Sequence, residues 1–318
     1  MKSSNLEVFL EAATPRLPWR SAPMDCFQGP NNVWQLEKKD AVDYFSLEDL
    51  WEHYSESSAY GLGVPVRLEN GKLITQHFVP YLSAIQIYTS KTLLHAAVPS
   101  MGSDGSDSWS DDDSTAEKLS RSWDAASSDD SSSDCVVPAT TAKQGGYLNF
   151  QYTEWDPPYE RIPLADKVAE LAQDYPYLTS LKSAQLSPSS WLSVAWYPIY
   201  HIPYHGNLKG TCACFLTYHS ISSVFQDKII VQECHSGISR RSVAVSPFGL
   251  ATYRMHQQQQ GKQQLIWTPE TSSSSRSSAD HLYRAASSWL KQVGAHHPDF
   301  NFFTSHTSRH GYTSLALQ

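Results

Sequence analysis

The stretch Ser187-Pro-Ser-Ser-Trp-Leu-Ser-Val-Ala-Trp-Tyr-Pro-Ile-Tyr-His-Ile-Pro203 decides how the rest of the chain is interpreted. From Trp191 to Ile202, aromatic and aliphatic side chains fall at both odd and even positions, so an extended chain would carry apolar groups on both faces. We therefore predict a strand that is buried on both sides. Pro198 has no N–H to donate to a neighbouring strand, so we expect a bend, a bulge or a sheet edge at that position.

Four further segments are predicted to be strands, and the last of them is predicted to pair antiparallel with this one. They are Val64 to Leu68, Leu73 to Val79, Leu82 to Tyr88 and Cys212 to Ser220. The first two flank Asn70-Gly71, a dipeptide typical of a tight hairpin turn. Pro80 separates the second segment from the third, which indicates two strands rather than one.

Helices are predicted from their capping residues and from apolar side chains at helical spacing. The start signals are Ser4 with Glu7, Ser46 with Asp49, Pro163, and Ser277 with Asp280. Gly61, Pro176 and Gly294 are stop signals for the last three of these helices. Because the helices are few and the strands come as hairpins, we predict an α+β fold: a mainly antiparallel sheet with a few packed amphipathic helices.

The negative charge of the chain is concentrated in one segment. The whole chain has a net charge of −8, and residues 100–135 contain ten acidic residues against Lys118 and Arg121, which also gives −8. Residues 100–145 are rich in Ser and Asp and poor in aliphatic side chains, so they cannot bury enough surface to offset the cost of ordering. We predict a single α+β domain formed by residues 1–99 and 146–318, interrupted by a disordered acidic insertion at 100–145.

Five serines of this insertion have Asp or Glu three positions later, a pattern that resembles acidophilic, casein-kinase-type sites. They are Ser108, Ser110, Ser114, Ser127 and Ser131. Phosphorylation would add nearly two negative charges at each site and would make the segment a ligand for basic clusters. A solvated spacer without a binding role is the alternative interpretation.

Composition excludes several classes of function. Outside the acidic segment the chain is neutral overall and has no Lys/Arg run, so we expect no nucleic-acid binding. The five cysteines are scattered, which favours a reducing compartment. No stretch reaches the ~18 consecutive apolar residues of a membrane span, and the first residues lack a leader pattern. We expect a protein of the cytosol or nucleus.

Two cysteine patterns were weighed for chemistry. Cys234 and Arg240 have the Cys-x5-Arg spacing of cysteine phosphatases, but residues 243–247 are a poor start for the helix that such an anion site needs. Cys212 and Cys214 point to the same face of their strand, a weaker spacing than paired zinc knuckles, and buried thiols are the alternative. The sequence therefore predicts no catalytic residue, no metal site and no cofactor.

The sequence favours a non-enzymatic, soluble interaction protein that binds an unknown protein partner through a phosphorylatable acidic loop. The alternative is an enzyme or a small-ligand-binding protein whose site is assembled from residues distant in sequence. The candidate pocket residues for that alternative are Tyr197, Tyr200, His201 and His219.

Several short segments rich in aromatic residues, distributed along the chain, carry a resemblance to a known family. They are Asp49-Leu50-Trp51-Glu52, Ser58-Ala59-Tyr60-Gly61, Val79-Pro80-Tyr81-Leu82-Ser83-Ala84-Ile85-Gln86, Ser189-Ser190-Trp191, Val194-Ala195-Trp196-Tyr197-Pro198-Ile199-Tyr200, Cys214-Phe215-Leu216-Thr217-Tyr218-His219-Ser220 and Phe248-Gly249-Leu250-Ala251. In these strings the chain resembles the plant domain-of-unknown-function 789 family nearly end to end. The resemblance implies a plant protein, and it carries over no catalytic or binding residues.

Overall fold

The computed structural model describes residues 3–23, 27, 40–90, 146–202, 213–226, 229–233, 239–253, 257–259, 262–264, 266–267 and 273–305. The α-helices in these ranges are α1 (Asn5–Ala12), α2 (Leu47–Tyr60), α3 (Leu164–Asp174), α4 (Tyr177–Ser180), α5 (Ser273–Val293) and α6 (Pro298–Ser305). The strands are β1 (Arg16–Pro18), β2 (Arg20–Pro23), β3 (Ala41–Tyr44), β4 (Leu62–Arg67), β5 (Leu73–Thr89), β6 (Tyr147–Thr153), β7 (Trp191–Ile202), β8 (Cys214–Ser220), β9 (Ile229–Glu233), β10 (Ser239–Ala244), β11 (Pro247–Tyr253), β12 (Gln257–Gln259) and β13 (Lys262–Gln264).

The main sheet has the strand order β11-β8-β7-β5-β4, and β6 pairs with the second half of β5. Every pair in it is antiparallel. The predicted central strand is β7, which pairs with β5 on one side and with β8 on the other. The predicted α+β class, with a mainly antiparallel sheet and packed helices, is confirmed.

Helices pack on both faces of this sheet. Along β7, Leu192, Val194 and Trp196 face the core that contains α1, α2 and α3. Trp191 and Ala195 face the opposite core, which contains α5 and α6. Side chains of a strand alternate between the two faces, so the predicted burial on both sides of β7 is confirmed.

The strand β5 corrects one boundary of the sequence analysis. It runs unbroken through Pro80, where two separate strands were expected. Pairing with β4 ends at Phe78 and pairing with β6 begins at Ala84, so β5 has a strand neighbour on only one side at Pro80. A missing N–H costs little where no strand is present to receive it. At Pro198 the register of β7 shifts against β5, and the expected irregularity is confirmed.

The capping predictions hold at the first two helices. Ser4 with Glu7, and Ser46 with Asp49, each form a complete capping box. By contrast, α5 begins one turn before the predicted cap at Ser277, because serine is compatible with a helix interior as well as with a cap. The sequence analysis did not anticipate α6.

The N-terminal helix covers one edge of the sheet. The Asn5 side-chain amide donates to the backbone oxygen of Arg67 and accepts from its N–H, so it occupies the free edge of β4. The same amide donates to the backbone oxygen of Ile266 at 2.7 Å. This side chain therefore joins β4 to Ile266, which is 261 residues after Asn5 in the chain.

Strands from both sides of residues 91–145 join the same sheet, since β4 and β5 precede that range and β6, β7 and β8 follow it. The acidic insertion and its five candidate phosphorylation serines lie outside the described residues, so the domain division at 99 and 146 stays a prediction. Within the described ranges, no helix has the length and apolar character needed to cross a membrane.

Candidate functional site

Five polar side chains form a buried cluster between the sheet and α6. They are Ser83, Arg161, Tyr218, His297 and Asp299, and we call them the α6 polar cluster. Ser83 lies where the register of β5 against β7 shifts between Leu82 and Ala84. A bulge of this kind re-aims a side chain, and bulges are common beside functional sites, which makes the cluster a candidate for chemistry.

The hydrogen bonds of the cluster have a defined direction. The Ser83 hydroxyl donates to Asp299 Oδ2 at 2.5 Å, because an ionised carboxylate only accepts. Ser83 Oγ must therefore accept from His297 Nε2, 2.8 Å away. The other ring nitrogen, Nδ1, lies 2.7 Å from the Tyr218 hydroxyl and accepts a hydrogen bond from it. Burial raises the pKa of Tyr218 well above its usual value, which keeps the phenol protonated for this role.

This direction argues against a nucleophilic serine. A general base must present an unprotonated nitrogen to the hydroxyl that it activates, whereas His297 presents an N–H to Ser83. Burial lowers the pKa of His297 to about 4, so the ring is neutral at neutral pH and has only one N–H. Ser83 is fully buried and His297 nearly so, which leaves no room for a substrate between them.

Arg161 completes the cluster with a bidentate ion pair. Its Nη1 and Nη2 donate to Asp299 Oδ2 and Oδ1 at 2.8 and 2.7 Å. The two side chains are only 4% and 6% exposed. The cluster thus joins β5, β8, the segment before α3 and the first turn of α6, and every bond in it connects elements that are distant in sequence. Its chemistry is that of a structural connection.

The four residues predicted as a pocket do not come together. His219 pairs with Leu192 and lies on the face covered by α1, α2 and α3. Its Nδ1 and Nε2 lie 2.9 Å from the Val245 backbone oxygen and from Thr217 Oγ1, and burial lowers its pKa to about 4. Tyr197 packs on the opposite face, against the core of α5 and α6.

The other two residues of that set lie at the end of β7. Tyr200 is partly exposed, and its hydroxyl donates to the backbone oxygen of Tyr60. His201 is half-buried and is paired with Gln76. Two cavities in the described part of the chain have volumes of about 400 and 320 Å³, and none of the four residues lines either of them. A ligand site made from them stays a prediction.

One part of the sheet surface is apolar and is not covered by any helix of the described residues. Leu73, Tyr200 and Ile202 lie on the same face of β5 and β7 and are 52%, 45% and 56% exposed. The Tyr200 ring stacks on His77 with centroids 4.4 Å apart, so the aromatic group is held in place. We call the surface formed by Leu73, Tyr200, Ile202 and the adjacent Tyr60 and Ile199 the open face. Contiguous exposed apolar groups of this kind mark interaction sites.

The cysteine patterns receive no support. Cys212 and Cys234 lie outside the described residues, and Cys214 is a buried side chain in the core of α5 and α6. In the ranges that the structure covers, no group of three or more His, Cys, Asp or Glu side chains is placed to hold a metal ion.

Sequence reasoning missed the α6 polar cluster. In sequence, the pair His296-His297 is typical of helix ends and of the surface, whereas the His297 side chain is buried. No local pattern could have revealed this, because its partners Ser83 and Tyr218 are 214 and 79 residues away. The one available signal is the apolar stretch around Ser83, which is typical of a buried strand and would leave a buried hydroxyl in need of a partner.

Comparison with known proteins gives a family and nothing further. Neither a curated protein nor a solved structure shows significant similarity to this chain. A family model described as "Protein of unknown function (DUF789)" matches residues 4–303, which is nearly the whole chain. The resemblance stated from the aromatic strings is therefore confirmed, and the chain belongs to the DUF789 family.

Proposed function

We propose that the protein is a non-enzymatic interaction protein. It binds a partner protein that presents a basic cluster to the acidic segment 100–145 and an apolar surface to the open face. The open face is the observation that carries this proposal, because most of the remaining sheet surface in the described ranges is covered by helices. A rigid aromatic group loses little conformational freedom on binding, and Tyr200 is held by both His77 and Tyr60.

The charge distribution supports a basic partner. The full net charge of −8 is contained in residues 100–135, so electrostatic attraction would act through this segment. Phosphorylation at the five serines would strengthen the attraction, since each phosphate adds charge and three acceptor oxygens. The proposal includes a plant origin and a location in the cytosol or nucleus, where the scattered cysteines would stay reduced.

The direction of hydrogen bonds in the α6 polar cluster also supports a non-enzymatic role. This cluster is the place in the described chain where a serine, a histidine and an aspartate meet, and its histidine donates to the serine. The two buried histidines, His219 and His297, both have structural partners. Their side chains are used within the fold.

The test is a quantitative comparison of captured proteins. Three baits are prepared beside the intact chain: a chain without residues 100–145, a phosphatase-treated chain, and a double variant Leu73→Asp with Ile202→Asp. The control is Tyr159→Asp, because Tyr159 is an aromatic residue that is 84% exposed and is not one of the residues that form the open face. Each captured protein is then purified and its dissociation constant is measured against all five chains.

We expect a basic partner whose affinity falls by about tenfold or more with the double variant and with the deletion, and is unchanged by Tyr159→Asp. Weaker binding at higher salt should accompany the contribution of the acidic segment. A partner that binds all five chains equally would overturn the proposal. If phosphatase treatment alone abolished binding of the partner, the binding would depend on the phosphates and the open face would have no part in it.

A further inference from the structure

A cavity lies beside the end of β8, away from the α6 polar cluster and from the open face. Its volume is about 400 Å³. The described residues that line it are Pro188, Ser220, Phe225, Gln226, Ala244, Ser246, Phe248 and Trp289, and we call it the β8–α5 cavity. Small-molecule sites in proteins fall in this size range and are lined mainly by apolar and aromatic groups with a few polar ones.

The aromatic walls of the cavity are held in a fixed geometry. Trp289 of α5 and Phe248 of β11 meet edge to face, with ring centroids 5.5 Å apart. Phe225 is 56% exposed, as expected for a side chain at the mouth. Aromatic rings in such arrangements favour a planar aromatic ligand.

Two of the lining residues each have one polar side-chain atom without a partner in the described part of the chain. Ser220 Oγ and Trp289 Nε1 are buried and form no hydrogen bond with any described residue. An unsatisfied buried polar group is unfavourable, and native structures seldom keep one without a reason. The indole N–H can only donate, and the serine hydroxyl can rotate to donate, so both would be satisfied by an acceptor atom.

The remaining polar groups restrict the ligand further. The Gln226 amide nitrogen donates to the backbone oxygens of Ser220 and Ser222, at 2.8 and 3.0 Å, so only its oxygen is left for a ligand. None of the eight lining residues is charged. A charged ligand would lose its hydration without gaining an ion pair, which is costly.

We propose that the β8–α5 cavity binds an uncharged, planar aromatic molecule that carries a hydrogen-bond acceptor such as a carbonyl oxygen. Trp289 Nε1 and the Ser220 hydroxyl donate to this acceptor after a small adjustment of the wall, and the rings of Phe248 and Trp289 contact the aromatic body. The site goes beyond the proposed partner binding and does not depend on it.

The test uses three naphthalene probes that share one aromatic body. The first is 6-propionyl-2-(dimethylamino)naphthalene, an uncharged ketone whose emission shifts to the blue in an apolar site. The second, 2-(dimethylamino)naphthalene, lacks the carbonyl, and the third, 6-(dimethylamino)-2-naphthoate, has a carboxylate. We expect the ketone to bind, and the other two to bind about tenfold more weakly, the loss expected for one hydrogen bond or one unpaired charge.

Variants locate the site on the full chain. Ser246→Trp fills the cavity and should abolish ketone binding, and Phe225→Ala removes an exposed part of the wall and should weaken it. Trp289→Phe keeps an aromatic ring without the N–H, so it should remove the preference for the ketone over the probe that lacks the carbonyl. Asn301→Trp is the matched control, since Asn301 is exposed beside the second cavity, of about 320 Å³.

The outcomes are distinguishable. Phe225→Ala keeps the experiment decisive if thermal unfolding shows that Ser246→Trp does not fold. Ketone binding that survives both Ser246→Trp and Phe225→Ala, or that is absent from the intact chain, overturns the proposal. Binding that is lost on Leu73→Asp instead places the probe on the open face and also overturns it. Equal affinity for the three probes would contradict the acceptor requirement.

Discussion

Asp299, in the first turn of α6, receives two hydrogen bonds from the guanidinium of Arg161, which is 138 residues earlier in the chain. Both side chains are almost fully buried. Removal of one partner from such a pair leaves an uncompensated buried charge, which is far more costly than removal of both.

We therefore expect Asp299→Ala to lower the free energy of unfolding by about 3–5 kcal/mol. The double variant Arg161→Met with Asp299→Leu should recover most of this loss, and urea unfolding followed by circular dichroism measures both. Arg16→Ala is the control, because both side chains of its ion pair with Glu11 are exposed and the pair should contribute less than about 1 kcal/mol. A double variant as unstable as the single one would contradict the role of the buried charge.

The buried histidines make stability sensitive to acid. Burial lowers the pKa values of His219 and His297 to about 4, from 6.5 for an unperturbed histidine. The unfolded chain therefore binds more protons between pH 6.5 and pH 4, and the free energy of unfolding falls as the pH drops through that window. Each histidine accounts for about 3 kcal/mol across it. Above pH 6.5 both histidines are neutral in the folded and the unfolded chain, so they add no further pH dependence to the free energy of unfolding.

Urea unfolding at several pH values between 4.5 and 7.5 checks this prediction. We expect His219→Gln to be less stable than the intact chain at pH 7 but to show a shallower decline on acidification. His281→Gln, at an exposed helix position, should leave the pH dependence unchanged. Parallel pH curves for the intact chain and His219→Gln would show that the histidine is not the titrating group.

The contact between β11 and α5 depends on the absence of a side chain. A Cβ atom at Gly249 would lie 2.9 Å from Ala286 Cβ and 3.1 Å from Ala286 Cα. Gly249→Ala should therefore force α5 away from the sheet and lower the free energy of unfolding by about 1–3 kcal/mol. Addition of Ala286→Gly should restore only part of the loss, because the backbone contact remains and glycine weakens a helix. Additive effects of the two changes in thermal unfolding would argue against this contact.

The open face and the core side of β5 are distinguished by two adjacent residues. Ile74 is 2% exposed and Leu73 is about half exposed, so their side chains lie on opposite faces. Ile74→Ser should lower the free energy of unfolding by about 3 kcal/mol, whereas Leu73→Ser should change it by less than about 1 kcal/mol. Similar losses in urea unfolding would mean that Leu73 is covered in solution.

Deletion of residues 100–145 tests the domain assignment. It shortens the connection between Thr89 and Tyr147 from 57 residues to 11. If the removed segment contributes no packing, the lower cost of closing a shorter loop should raise the free energy of unfolding by up to about 1.5 kcal/mol. A cooperative unfolding transition at unchanged or higher urea concentration is the expected result. Loss of that transition would place residues 100–145 within the folded domain.

Local signals account for the elements that could be predicted. The capping boxes at Ser4 and Ser46 involve residues three positions apart, and the turn at Gly71 has the positive φ of 80° that favours glycine. The apolar pattern of β7 alone predicted a strand with both faces buried. Each of these features is determined within a few residues of chain.

What the sequence did not predict depends on contacts between distant segments. Pro80 is accommodated within β5 only because β4 ends before it and β6 begins after it. The α6 polar cluster needs Ser83 and Asp299 in contact across 216 residues. The four candidate pocket residues lie on two sides of one sheet. The alternation of side chains within each strand could be predicted, but the register between the strands could not.

The contact of Asn5 with Ile266 also constrains how the chain folds during synthesis. The helix α1 has hydrogen-bonding and packing partners that are synthesised long after it: Leu6 donates its N–H to the Trp267 carbonyl, and Phe9 packs against the Trp267 ring. At translation rates of about 5–20 residues per second, the nascent α1 remains without them for tens of seconds. We expect chaperones to bind its apolar side chains in that interval, because the core around α1 can close only after Trp267 has been made.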